Sequence, residues 1–498
     1  MSDAKLATSN LRTQHFKKTL GRLDIVFLSV SAIIAIDTVA QIAAGGGAES
    51  FTWTVVIGIT FLFPYAMMIA ELGSAFPEQG GPFVWVRLAF GKLAAAIATL
   101  LYWITNPLWM GGSLVFIATA TWGAYISPIS SGTLPDYLFK LVFIWLAIGT
   151  AIIGLQYGKY IIAAGAIVKV ALLGIFVVTV IVYAFTNGVH GYGPSDFTPT
   201  VGGFLAVTPV ILFALVGFEA PNGAAEEMRN PKKDVPRAIA SSGIISILCY
   251  VVPIFAILAV LPSSKVQGES GFLEAFKEVF SVYGIASEPV MFVAGLLFVF
   301  VVLTQASAWM IASDRVQAAA GADGVFFRYF GKFSSRFGTP VRMNVLSGSV
   351  ATVFCLAATL LLKGSTAAVF TVVLTVAIST LLLSYLVIFP SILALRKKYP
   401  DVERPYRVPG GRTGLRIVVG ITYAWVLLGS WVAVFPGTLE TALGLKYDFV
   451  SVWGVDRLTF ETFTLGTLIV ITALALVGYF WQRSRDRKHA PAAQTLSD

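Results

Sequence analysis

Charge is what this chain lacks most. Of 498 residues only 12% are charged, while 57% are hydrophobic; a soluble globular chain carries roughly a quarter charged residues. That imbalance excludes a soluble enzyme or binding module. There are two cysteines, Cys249 and Cys355, and both fall inside apolar windows, which excludes a disulfide framework. Three histidines, His15, His190 and His489, all lie outside those windows, so a histidine proton relay is not expected. No G-x-x-x-x-G-K-[ST] loop occurs, as an ATP-driven pump would need, and neither H-E-x-x-H nor G-x-S-x-G occurs, as a membrane hydrolase would need. The chain is expected not to be an enzyme, and to need neither cofactor nor metal.

What remains is hydrocarbon-spanning length. Apolar windows long enough to cross about 30 Å of hydrocarbon as helix occur near 25–45, 52–72, 94–120, 138–156, 161–185, 203–220, 239–261, 290–312, 343–362, 366–393, 415–435 and 464–482. They predict an all-α integral membrane protein with twelve transmembrane helices. The first window follows a polar stretch, is too long for a signal-peptide core and lacks a small-residue cleavage pattern, so it is expected to stay in the mature chain. The tails and every second loop hold 28 of the 35 lysines and arginines, whereas the opposite loops hold Lys140, Lys265, Lys277, Lys363, Lys446 and Arg457. This asymmetry places both termini in the cytoplasm of a multi-pass protein of the cell membrane. The net charge of +9 is then a topology signal; the bilayer, and no nucleic acid, is the expected macroscopic partner. Lipid-facing and subunit-facing apolar surfaces look alike, so oligomeric state is not legible here.

Away from the window edges only three charges enter the apolar phase: Asp37 in span one, Lys169 in span five and Glu219 in span six. Each costs several kcal/mol if it faces lipid, so each is expected to face a polar cavity or a partner. Two bland readings stand beside this. The charges are purely structural, or Asp37 lies nearer an interface. Span one, "DIVFLSVSAIIAIDTVAQIAAGGGAES", carries its acid mid-segment and ends in three glycines, and span six carries "GFEAPNG". Interrupted segments one and six occupy corresponding places if ten spans form two five-helix halves, the pattern of an inverted-repeat transporter whose broken helices meet at mid-membrane. Unwinding exposes backbone N–H and C=O groups where no water competes, and these, with the helix dipoles, can hold a charged substrate. Trp103, Trp109 and Trp309 are either path-lining or packing residues; Glu71 suits a loop partner, and Asp314 with Arg315 a loop-anchoring ion pair.

The run "GFEAPNGAAEEMRNPKKDVPRAI" resembles the sixth span and following loop of amino acid-polyamine-organocation transporters. In register with it are "AELGSAFPEQGGPFVWVRLAFG", "GAIVKVALLG", "LTQASAWMIASDRVQAAAGADGVF" and "KYPDVERPYRVPGG", so the resemblance covers nearly the whole chain. The resemblance is to amino acid permease and glutamate:GABA antiporter-like members, and the acid in the span-one break "SAIIAIDTVA" is similar to the polyamine-transporting branch. It implies a 5+5 inverted-repeat, LeuT-like core with discontinuous helices 1 and 6 plus two peripheral helices. The expected layout is a cytoplasmic tail over 1–22 and a core over 23–393, with repeat one about 23–186 and repeat two about 200–393. A cytoplasmic loop over 394–414, peripheral helices over 415–482 and a cytoplasmic tail over 483–498 follow.

It also implies substrate binding at the unwound parts, about 32–38 and 213–221. The candidate contacts are Ala32, Ile33, Ile36, Asp37, Thr38, Phe213, Gly217, Phe218 and Glu219, with Phe218 as the aromatic gate. Lys169 matches the family lysine that stands where sodium sits in related transporters, which makes it the candidate coupling residue, either as a fixed charge in place of sodium or as a titrating group that couples proton uptake to the conformational change. The implied function is Na+-independent secondary transport of an amino acid, by proton-coupled symport or by exchange, with a polyamine or other organic amine as the alternative and a channel as a remote one. The partners implied are a small-molecule substrate and, in the symport case, protons.

Overall fold

The computed structural model describes residues 16–153, 155–189, 192–261, 271–361 and 366–488. The three histidines, Lys265 and Lys363 lie outside the described residues. Among those described, the regular secondary structure is all helical, apart from one isolated parallel bridge between Leu20 and Met228.

Eleven helices among the described residues are long and apolar enough to cross a membrane. The sixth apolar window is the exception: it forms only a 14-residue helix, Val201–Ala214, before the backbone leaves helical geometry and resumes as a 3₁₀ stretch, Ala220–Glu227. Gly217, at φ +132, and Pro221 account for the stop, since one takes a backbone conformation closed to L side chains and the other has no N–H to donate. Span one is interrupted differently. Helix Arg22–Ile33 ends, Ile34 and Ala35 are extended at ψ 91, and Ile36–Gly46 begins. No glycine or proline sits at that break. Gly45, Gly46 and Gly47 lie beyond it, where Gly47 at φ 54 turns the chain into the next helix, Ala48–Ile57. Burial separates centre from rim: 89% of the first span's apolar window is buried against 22% for the last, Arg457–Arg487.

Polar anchors hold the loops. Glu71 accepts from Arg396 Nε at 2.6 Å and from the Val408 N–H at 2.8 Å, and Arg404 lies 3.5 Å away, so the loop after span ten is tied to span two. The expected Asp314 with Arg315 pair is not what forms. Arg315 Nε reaches Glu227 at 2.8 Å, while Asp314 accepts from Trp103 (2.8 Å), Asn344 (2.5 Å) and Ser347 (2.5 Å). Neighbours on a helix point about 100° apart, so adjacent residues on Ser287–Ala322 address different elements.

Candidate functional site

The break in span one leaves backbone groups without helical partners, and side chains from three other helices take them up. Lys169 Nζ, fully buried, donates to the carbonyls of Ser31 (3.0 Å) and Ile34 (2.5 Å) and to Gln305 Oε1 (2.7 Å). Tyr250 donates to the Ile33 carbonyl at 2.8 Å and accepts from the Ala35 N–H at 2.6 Å. Trp309 Nε1 donates to the Ala32 carbonyl at 2.9 Å, and Thr38 Oγ1 closes back on Ala35 at 2.7 Å. Asp37 opens the second half-helix and accepts from Trp109 Nε1 at 3.0 Å and Gln305 Nε2 at 2.9 Å. The electrostatics are matched twice over. The ammonium caps the negative end of one half-helix, the carboxylate lies in the first turn of the other, and the Gln305 amide joins the two.

Span six is held in the same manner by phenols. The Tyr65 hydroxyl accepts from the N–H groups of Gly217 (3.0 Å) and Phe218 (3.1 Å) and donates to Glu219, whose other oxygen accepts from Tyr385 at 2.6 Å. The two breaks touch at Gly217: a Cβ there would stand 3.1 Å from Ile33 Cγ1, 3.2 Å from the Trp309 ring and 3.3 Å from the Ile33 nitrogen. Gly217→Ala is therefore expected to cost about 1–3 kcal/mol, because strained φ and crowding coincide. Thermal unfolding in detergent checks this, and an unshifted midpoint would show that the breaks do not need this close approach.

Between the breaks lies a closed cavity of about 10 Å³, walled by Ala32, Thr105, Asn106, Trp109, Phe213 and Trp309 among others. It has room for about one water, so a substrate enters only if these walls move. Of the residues expected from sequence, Ala32 and Phe213 line it, and Trp109 meets Phe213 edge to face at 5.2 Å. Ile33 and Gly217 lie together where the two breaks meet, and Ile36, Asp37 and Thr38 follow in the second half-helix. Phe218 and Glu219 are buried but do not line the cavity; the Phe218 ring packs on Tyr65 with centroids 5.3 Å apart, and Glu219 is closed off by the two phenols. Sequence reasoning did not single out Gln305, Tyr250, Tyr65 or Tyr385. A lone amide in the apolar run "VVLTQASAWM" was the one available signal for Gln305.

Two interrupted helices, buried countercharges at their broken ends and a closed cavity between them define a multi-pass helical membrane protein organised around a central site. The chain belongs to the amino acid permease family, of the amino acid-polyamine-organocation superfamily: it matches that family over residues 20–454. It is 26% identical over 458 residues to a probable agmatine/putrescine antiporter, AguD, of Lactococcus lactis, covering 90% of this chain and 92% of that protein. A glutamate/gamma-aminobutyrate antiporter of the same organism is 22% identical, covering 76% of each chain. The branched-chain amino acid permease BcaP of Bacillus subtilis is 24% identical over 90% of this chain and 96% of its own length.

Proposed function

We propose that the protein is a Na+-independent secondary active transporter of amino acids in the cell membrane, working by alternating access with both termini cytoplasmic. The observation that carries this reading is Lys169. Its ammonium fills the position a cation would otherwise take at the carbonyls of Ser31 and Ile34, so the broken first helix is held without a metal ion. The two breaks, at the first and sixth apolar windows, support a ten-helix inverted-repeat core over 23–393 with peripheral helices over 415–482. The relatives, two antiporters and a permease by name, support transport of amino acids or amines and leave exchange and symport as the two modes. Counterflow in proteoliposomes tests the class. An exchanger takes up substrate faster when loaded inside with it; a channel shows no such acceleration.

A second reading, an amine without a carboxylate, is favoured by a specific observation. The N–H groups that would receive a substrate carboxylate are taken: Ala35 by Tyr250, and Gly217 and Phe218 by Tyr65. Trp109, Trp309 and Phe213 meanwhile offer aromatic faces to a cation, with Asp37 behind Trp109. A stabilisation panel of the common amino acids with putrescine, spermidine and agmatine separates the two readings.

The cavity aromatic is expected to matter more than its neighbour along the chain. Phe213→Ala should raise KM by about tenfold, the equivalent of about 1.4 kcal/mol. Phe218→Ala should weaken binding less, through Tyr65, with both proteins still inserted. Wild-type kinetics in a folded Phe213→Ala protein would remove that ring from the site, and the same result for Phe218→Ala would remove Phe218.

A further inference from the structure

We propose that the groove between the third, ninth and twelfth apolar helices is a binding site for one phospholipid acyl chain, and that its occupancy sets the position of the helix that walls the transport cavity. The groove encloses about 900 Å³ and is almost wholly apolar. Its long wall runs from Leu458 to Leu474 on Arg457–Lys488, about 24 Å at 1.5 Å per residue; Val353 and Ala357 of Val341–Leu361 face it, and Ile104 and Leu108 join them. Phe354 and Phe463 meet across it with ring centroids 5.6 Å apart. At its middle, Gly466 leaves open space where a side chain would stand, since a Cβ there meets no atom within 4 Å.

Shape and charge select the occupant. A single hydrocarbon chain is slim enough, and the walls belong to helices that cross the membrane, where hydrocarbon is the surrounding medium. At the Leu458 end stands Arg457, its guanidinium stacked on Phe449 at 4.6 Å and bonded to Glu461 at 3.2 Å, where a lipid phosphate would pass.

The groove and the transport cavity share one wall. On the helix Lys92–Trp109, Ile104 and Leu108 face the groove while Thr105 and Trp109 face the cavity. The next residues, Met110–Leu114, form a π-helical turn whose Gly111 presses on the Ala351 carbonyl of the groove's second helix. Such single-turn π-bulges inside α-helices are frequent at functional sites. A filled groove therefore props this helix against the cavity, and an altered filling changes where Trp109, and Asp37 behind it, come to rest. This coupling rests on the transport reading above; acyl-chain binding does not.

The full chain is reconstituted into phosphatidylethanolamine and phosphatidylglycerol vesicles whose acyl chains carry a diazirine, irradiated, and its labelled peptides mapped by mass spectrometry. Label is expected several-fold denser over 349–357 and 458–474 than at Val178 and Ile181 on the exposed face of Leu155–Asn187. Gly466→Phe should lower that label several-fold and change the maximum uptake rate several-fold in the same vesicles. Val353→Trp fills the groove from the opposite wall and serves where Gly466→Phe does not fold. Label no denser than at Val178 and Ile181, or undiminished in the filled variants, overturns the site. Label lost with an unchanged uptake rate overturns the coupling while leaving the site and the transport reading intact.

Discussion

Lys169→Ala is expected to reduce uptake by at least about 100-fold while the protein still inserts, because three buried acceptors, the carbonyls of Ser31 and Ile34 and the Gln305 amide oxygen, lose their donor together. Leaving a buried polar group unsatisfied costs about 1–3 kcal/mol each, and 100-fold in rate is only about 2.7 kcal/mol. The loss falls at the joint between two half-helices, so it disturbs the geometry that must cycle rather than a remote contact. Lys169→Arg is expected not to rescue, since a planar fork does not reproduce three bonds converging on one nitrogen. Wild-type uptake should be unchanged when choline replaces sodium, because the carbonyls already hold a tethered ammonium. Reconstituted uptake across pH 5 to 8, in both salts and for wild type and the alanine variant, measures all of this. A strict sodium requirement in wild type, or normal turnover at every pH in the variant, sinks the account.

Asp37→Asn should separate the two substrate classes. If the substrate is an amine, the carboxylate bonded to the cavity residue Trp109 is removed as a partner for its ammonium, and uptake should fall by at least about 100-fold, since a desolvated cation without its partner costs about 3–5 kcal/mol. If the substrate is a neutral amino acid, the effect should be several-fold, because the amide preserves one acceptor for Trp109 or Gln305 and the substrate brings its own countercharge. The readout is uptake of labelled putrescine or agmatine beside that of a neutral amino acid, with Trp109→Phe as a control that frees Asp37 from one donor without changing its charge. Retained amine uptake by Asp37→Asn would reject the amine reading.

Much of this architecture was legible before any coordinates. Hydropathy is additive along a chain, so twelve apolar windows, the excess of basic residues in alternate loops and the rarity of intramembrane charge all read directly from the residues. So did the approximate places of the two interruptions, because Pro221, Gly217 and a stranded acid are local signals. The sixth window has the length and composition of a full span, whereas only Val201–Ala214 is α-helical. Composition counts apolar residues and does not see that a backbone at φ +132 has left the helix.

The sequence by itself determined that this is a helical membrane protein of the amino acid permease family, with Asp37, Lys169 and Glu219 as its costly buried charges. Only the tertiary structure decided who answers those charges: Gln305 is 268 residues from Asp37 and 136 from Lys169, and Tyr385 is 166 from Glu219. It also decided that Phe213 walls the cavity while Phe218 lies against Tyr65. The physical reason is the break itself. Helical periodicity tells which residues share a face only while the 3.6-residue phase is unbroken; two extended residues in span one and a glycine of positive φ in span six reset that phase, and the new direction is set by distant groups that bond the freed backbone.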